Sequence, residues 1–198
     1  MGHFRVSNEN KKIRFLKKIS KVAMPIVILV AIASGFYCCR YGFPYPENPN
    51  SIIPNRELEA VIREVIKKPK GTIQPSDCLG IKELDISKTN YIKNLKGLEY
   101  FIDLEKLTVA ASWVSDLSSI SSLTNLKYLD LDQNNITDLS PLSGLVKLEY
   151  LNLYDNKVVD ISPLLNLATL RELNLAKNPV KNVEVIEERM PNLNVYLE

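Results

Sequence analysis

The sequence predicts an α/β solenoid: short parallel strands, a convex side made mostly of 3-10 turns, a helical N-terminal cap, and one transmembrane helix ahead of it. Three observations carry this. Apolar residues recur every 22 positions through the second half of the chain. An amphipathic stripe with helix start and stop signals precedes them. An uncharged run, Val22 to Cys39, follows a basic N-terminal arm.

The arm, residues 1–21, holds seven Lys/Arg against Glu9 alone. Residues 41–198 hold 17 Lys/Arg against 22 Asp/Glu, so the overall +2 hides a charge step. A mildly acidic body argues against nucleic acid as a partner. The run VAMPIVILVAIASGFYCC over 22–39 is uncharged. As a helix it would be roughly 27 Å long, close to the hydrocarbon core of a bilayer. The positive-inside rule then puts the N-terminus in the cytoplasm and the repeats outside, on a single-pass signal anchor. Two other readings stay open: a signal peptide cleaved near Ala31-Ile32-Ala33, which would leave a secreted protein, and a buried core helix. Residues 40–54, with four prolines between Tyr41 and Pro54, read as a spacer.

Residues 55–80 read as the cap. Asn55 is a good N-cap. Leu58, Val61, Ile62, Val65 and Ile66 follow at helical spacing, and Pro69 and Gly71 stop the helix. The repeats occupy 81–191. Units of 22 start at Leu104, Leu126, Leu148 and Leu170, and a 23-residue unit starts at Ile81. Each fits L-x-x-L-x-L-x-x-N-x-I, the leucine-rich-repeat pattern. In the unit at Leu126 the matches are Leu129, Leu131, Asn134 and Ile136. The L-x-L segment is a strand that alternates inward and outward. The Asn at position nine should turn its amide inward to satisfy turn backbone. Only Asn134, Asn156 and Asn178 keep it, while Thr89 and Ser112 replace it, so a ladder is expected in the later repeats alone. Short helical turns are expected around Ser140-Pro141-Leu142 and Ser162-Pro163-Leu164. Asp116, Asp138 and Asp160 recur at one repeat position, which suggests a hydrogen bond within each turn. Residues 192–198 read as a C-terminal closure in which the 22-residue phase breaks.

The motif Ile136-Thr137-Asp138-Leu139-Ser140-Pro141-Leu142, with its counterpart at 158–164, resembles the internalin-type leucine-rich repeats of bacterial surface proteins. The segment 58–77 running into IKELDISKTN and LKGLEYF resembles the cap of that family. The resemblance implies a curved solenoid used for protein binding at the cell surface.

Position three places Tyr128 and Tyr150 on the concave side, position five Asp130 and Asn152, and position seven Asp132 and Tyr154. Trp113, the only Trp, stands at position ten on the exit edge of its strand. Exposed aromatics ringed by polar groups are the usual chemistry of protein-binding hot spots. These seven residues are the candidate site for a protein or peptide ligand. No enzyme is expected. The one histidine is His3, and there is no nucleophile elbow, phosphate loop or metal-ligand set. No cofactor or small-molecule group is implied. Cys78 reads as a small buried residue. The alternative function is a scaffold or spacer subunit whose transmembrane helix is the working part.

Overall fold

The computed structural model describes residues 48–87 and 92–198. The basic arm and the 22–39 span lie outside the described residues. Among the described residues no helix is long and apolar enough to cross a membrane.

Six three-residue strands form one parallel sheet in chain order: β1 (Glu83–Asp85), β2 (Lys106–Thr108), β3 (Tyr128–Asp130), β4 (Tyr150–Asn152), β5 (Glu172–Asn174) and β6 (Asn194–Tyr196). The register follows the repeat. Leu107, Leu129, Leu151 and Leu173 pair in succession and are all buried. Each unit can hide its apolar face only against its neighbours, so the leucines stack into one column. The protein is therefore a parallel-strand leucine-rich-repeat solenoid.

The convex side runs through 3-10 turns at Leu98–Tyr100, Ser118–Ile120, Ser140–Leu142 and Ser162–Leu164. Each of the last three is entered through an Asp that accepts the backbone N–H of the Ser two residues on. The distances are 2.8 Å at Asp116 and 2.9 Å at Asp138 and Asp160. The last unit differs, carrying a six-residue α-helix, α2 (Glu184–Arg189), on the same side.

The ladder of amides forms where the Asn residues are. Nδ2 of Asn156 donates to Leu153 O (3.1 Å) and Tyr154 O (3.2 Å) in its own turn and to Leu131 O (2.8 Å) in the preceding repeat. Its Oδ1 accepts the N–H of Ile136 at 3.0 Å. Asn134 and Asn178 repeat the pattern one unit before and after. At the same position Ser112 Oγ donates to Ala110 O at 3.4 Å.

Ahead of the sheet lies α1 (Arg56–Val65), capped by the Asn55 side chain, which accepts the N–H of Leu58 at 2.8 Å. Leu58 and Ile62 are fully buried and belong to the same core as the repeat leucines. Cys78 is buried in that core too, and burial pushes its thiol up to about 11.

Two boundaries differ from what the sequence predicts. The segment 40–54 does not remain a spacer to its end: Ile53 is fully buried in the core and Asn48 N–H donates to Pro54 O at 2.7 Å. The body therefore takes in the end of that segment. At the other end the phase does not break at 192. Val195 pairs with Leu173 in register, and the segment read as a closure is a sixth strand in step with the others.

One row escaped the sequence reading. Position two alternates in charge as Lys82, Glu105, Lys127, Glu149 and Arg171. Lys82 and Lys127 flank Glu105 at 2.9 and 2.7 Å. Lys127 first, then Lys82, draw the Glu105 carboxyl down to about 2. The row is exposed, so it adds little stability; it favours the one register that alternates sign.

Candidate functional site

Strand alternation sends the central leucines inward and the residues on either side of them outward. The pairing then sets Lys106, Tyr128, Tyr150 and Glu172 in one row and Thr108, Asp130, Asn152 and Asn174 in the next. The Tyr128 and Tyr150 rings stack, with centroids 4.4 Å apart and planes 1° from parallel. The 22-residue register allows this, because parallel strands hold equivalent side chains about one strand spacing apart. The Lys106 ammonium lies 4.8 Å from the Tyr128 ring centre. Tyr154, two rows along from Tyr150, receives the Lys177 ammonium at 4.9 Å. Burial first, then Tyr128 and Asp130, push the Tyr150 phenol up to about 12, so it stays protonated and able to donate.

The polar members of the site have two kinds of work. Asp130 Oδ1 accepts the N–H of Asp132 at 3.2 Å, and Asn152 Oδ1 accepts that of Tyr154 at 3.0 Å. Asp85 and Asn174 do the same in β1 and β5. Position five thus ends β1, β3, β4 and β5 with an Asx turn. The sequence reading gave Asp130 and Asn152 a surface role only; the recurrence of Asp or Asn at that position was the signal for the second one. Asp132 has no such duty, and its Oδ1 is buried without a hydrogen-bond partner.

Asp130 and Asp132 are both held above the usual carboxylate range, chiefly by burial. A carboxyl whose folded-state pKa is raised is best accommodated when protonated. Its contribution to stability is full below the unfolded value near 3.8 and declines as pH rises through the higher folded value. The double variant Asp130→Asn/Asp132→Asn is therefore expected to melt higher than the wild type near pH 7, with the gain vanishing by roughly pH 3. Melting curves across that range check it.

Trp113 is placed apart from the tyrosines. It is 53% exposed and lies on the exit edge of the sheet, with the Lys93 ammonium 5.5 Å from its ring centre. Tyr128, Tyr150, Tyr154, Asp130, Asp132 and Asn152 form one patch, and Trp113 lines a separate groove with none of them. The sequence reading missed the groove because its shape depends on a turn conformation. Ala111, Gln133 and Asp155 all have positive φ, between 49° and 52°. Among the described residues no group of three His, Cys, Asp or Glu is arranged to hold a metal ion.

Comparison with known proteins bears on what such a face does. The family model for leucine-rich repeats (two copies) matches residues 102–144 and 124–166. Among solved structures, an internalin of Listeria monocytogenes (inlF) is 30% identical with a TM-score of 0.67, over 79% of this chain and 46% of that one. The functional domain of InlJ from the same organism is 26% identical with a TM-score of 0.55, over 63% of this chain and 27% of that one. This chain thus spans less than half the length of either. No curated protein matches it.

Proposed function

We propose that this protein is a non-enzymatic binding module on the cell surface, tethered to the membrane by residues 22–39. Helix α1 closes the front of the solenoid. The concave face takes a protein or peptide through Tyr128, Tyr150 and Tyr154, with Asp130, Asp132 and Asn152 around them. The observation that carries this reading is the aromatic row itself. Two half-buried stacked tyrosines and a third beside them stand on an open sheet face among carboxylates. Such rigid amphipathic rings supply most of the binding energy at protein interfaces. The likeness to internalins supports a protein ligand. The charges on the face, Glu83, Asp85, Asp130, Asp132 and Glu172 against Lys106, favour a partner that presents Lys or Arg beside an apolar anchor.

The test has two arms on whole cells. A lone cysteine replacing Lys177 in a Cys-free variant should react with a membrane-impermeant maleimide; protection would reject the outward orientation. Replacing Tyr128, Tyr150 and Tyr154 by Ala together should lower the affinity for the captured partner by about 100-fold or more, since hot-spot residues cost about 2 kcal/mol each. The stacked pair contributes to folding by about 1 kcal/mol, so the variant must be assayed well below its own melting temperature. Undiminished capture would remove the concave patch from the reading.

A further inference from the structure

The exit edge of the sheet carries a second surface, built on different rows. Position nine is buried at Ser112, Asn134 and Asn156, and positions eight and ten rise on either side of it. Ala111, Gln133 and Asp155 stand on one side and Trp113, Asn135 and Lys157 on the other. The buried position-nine residues form the floor. The space between is about 480 Å³, inside the roughly 300–1,000 Å³ range of small-ligand sites.

The composition of this groove is unlike that of a protein hot spot. Its exposed apolar matter is one indole and one methyl group. Everything else at the rim is an amide, a carboxylate or an ammonium. Among the described residues no side-chain hydrogen bond or salt bridge engages Gln133, Asn135, Asp155 or Lys157. The amide groups of the floor are already committed to the ladder, so ligand contacts must come from the rim. The rim supplies donors and acceptors together around a single flat aromatic surface. A pyranose ring has the matching anatomy: one apolar C–H face, edged by hydroxyl groups that both donate and accept. The spacing fits as well. Successive repeats present equivalent side chains about 4.8 Å apart, close to the length of one sugar unit in an extended oligosaccharide.

We propose that this groove binds a neutral oligosaccharide. One pyranose stacks on Trp113, and the hydroxyls of that unit and the next pair with Asn135, Gln133 and Asp155. The assignment is independent of the concave face, since none of its tyrosines lines the groove.

The chain contains a single tryptophan beside nine tyrosines, so emission excited at the red edge, where tyrosine does not absorb, reports on Trp113. The full chain, held in a phosphocholine detergent that carries no sugar, would be titrated with chitotriose, cellotriose and maltotriose. At least one should change the Trp113 emission saturably at concentrations up to about 10 mM, a range that reaches beyond millimolar dissociation constants. Asn135→Ala and Asp155→Asn should each weaken that response roughly tenfold with the melting temperature unchanged. Tyr128→Ala should leave it as it was. Three flat titrations on folded protein, or a response untouched by Asn135→Ala and Asp155→Asn together, would overturn the proposal. Loss of the response in Tyr128→Ala would also overturn it, by assigning the effect to the concave face.

Discussion

Replacing Asn156 by Ala is expected to destabilise the protein by about 3–5 kcal/mol, because each buried group left without its partner costs about 1–3 kcal/mol. The amide makes four contacts, and they are not equivalent. Two, to Leu153 O and Tyr154 O, hold its own turn. The other two, to Leu131 O and from Ile136 N–H, cross to the preceding repeat. Removing the amide therefore orphans groups on both sides of one repeat interface, in a place largely shielded from water; Asn156 itself is 6% exposed. Stability in a solenoid is carried by such nearest-neighbour interfaces, so the loss acts on cooperativity as well as on the midpoint. Asn156→Asp keeps the acceptor but turns a carboxylate oxygen toward carbonyl oxygens, and should be no better than Ala. Asn178→Ala should cost visibly less, since Asn178 makes the same bonds from a half-exposed position. Denaturant unfolding of the three variants gives the order. Equal losses at 156 and 178 would show that burial does not set the energy of the ladder.

That ladder was legible in the sequence because a period of 22 ties three Asn residues to one position in the turn, and only an inward amide explains an Asn among leucines. The strands were legible for the same reason, and so was the row that brings Tyr128 against Tyr150. What stayed hidden were contacts that no periodicity announces. Ile52 and Ile53 follow a proline-rich stretch with no repeating pattern, and a lone apolar pair does not reveal what it packs against. β6 was obscured because Leu193 stands one place later than the leucine that opens the other units, although Val195 and Leu197 remain in phase. The double use of Asp130 and Asn152 was masked by strand alternation, which labels position five as surface and says nothing of where its side chain folds back. The Trp113 groove needed three residues at positive φ, and no glycine marks those turns.

Gly97 joins the hidden segment to the visible one, and Gly97→Ala is expected to cost about 3 kcal/mol or more, the sum of left-handed strain and overpacking. Its φ is +103°, which an L side chain rarely adopts. A Cβ there would stand 2.6 Å from Ile53 Cγ1 and 2.7 Å from Ile52 O. Ile53 has nowhere to go, being fully buried in the core, and the carbonyl is backbone. The N–H of Gly97 is also engaged, donating to the Glu99 carboxylate at 2.7 Å, so the turn cannot simply rotate. Two other glycines separate the contributions. Gly71 and Gly80 have φ of +82° and +74° but open space around the position a Cβ would take. Alanine there should cost only the backbone strain, about 1–2 kcal/mol. A double variant sharpens the assignment. If the clash with Ile53 carries part of the loss, Gly97→Ala combined with Ile53→Ala will unfold less easily than the two single losses added together, because the cavity left by one substitution accepts the methyl of the other. Strict additivity would leave only φ and the Ile52 carbonyl to account for the cost, and the junction between the first repeat and the segment before α1 would then be looser than its packing implies.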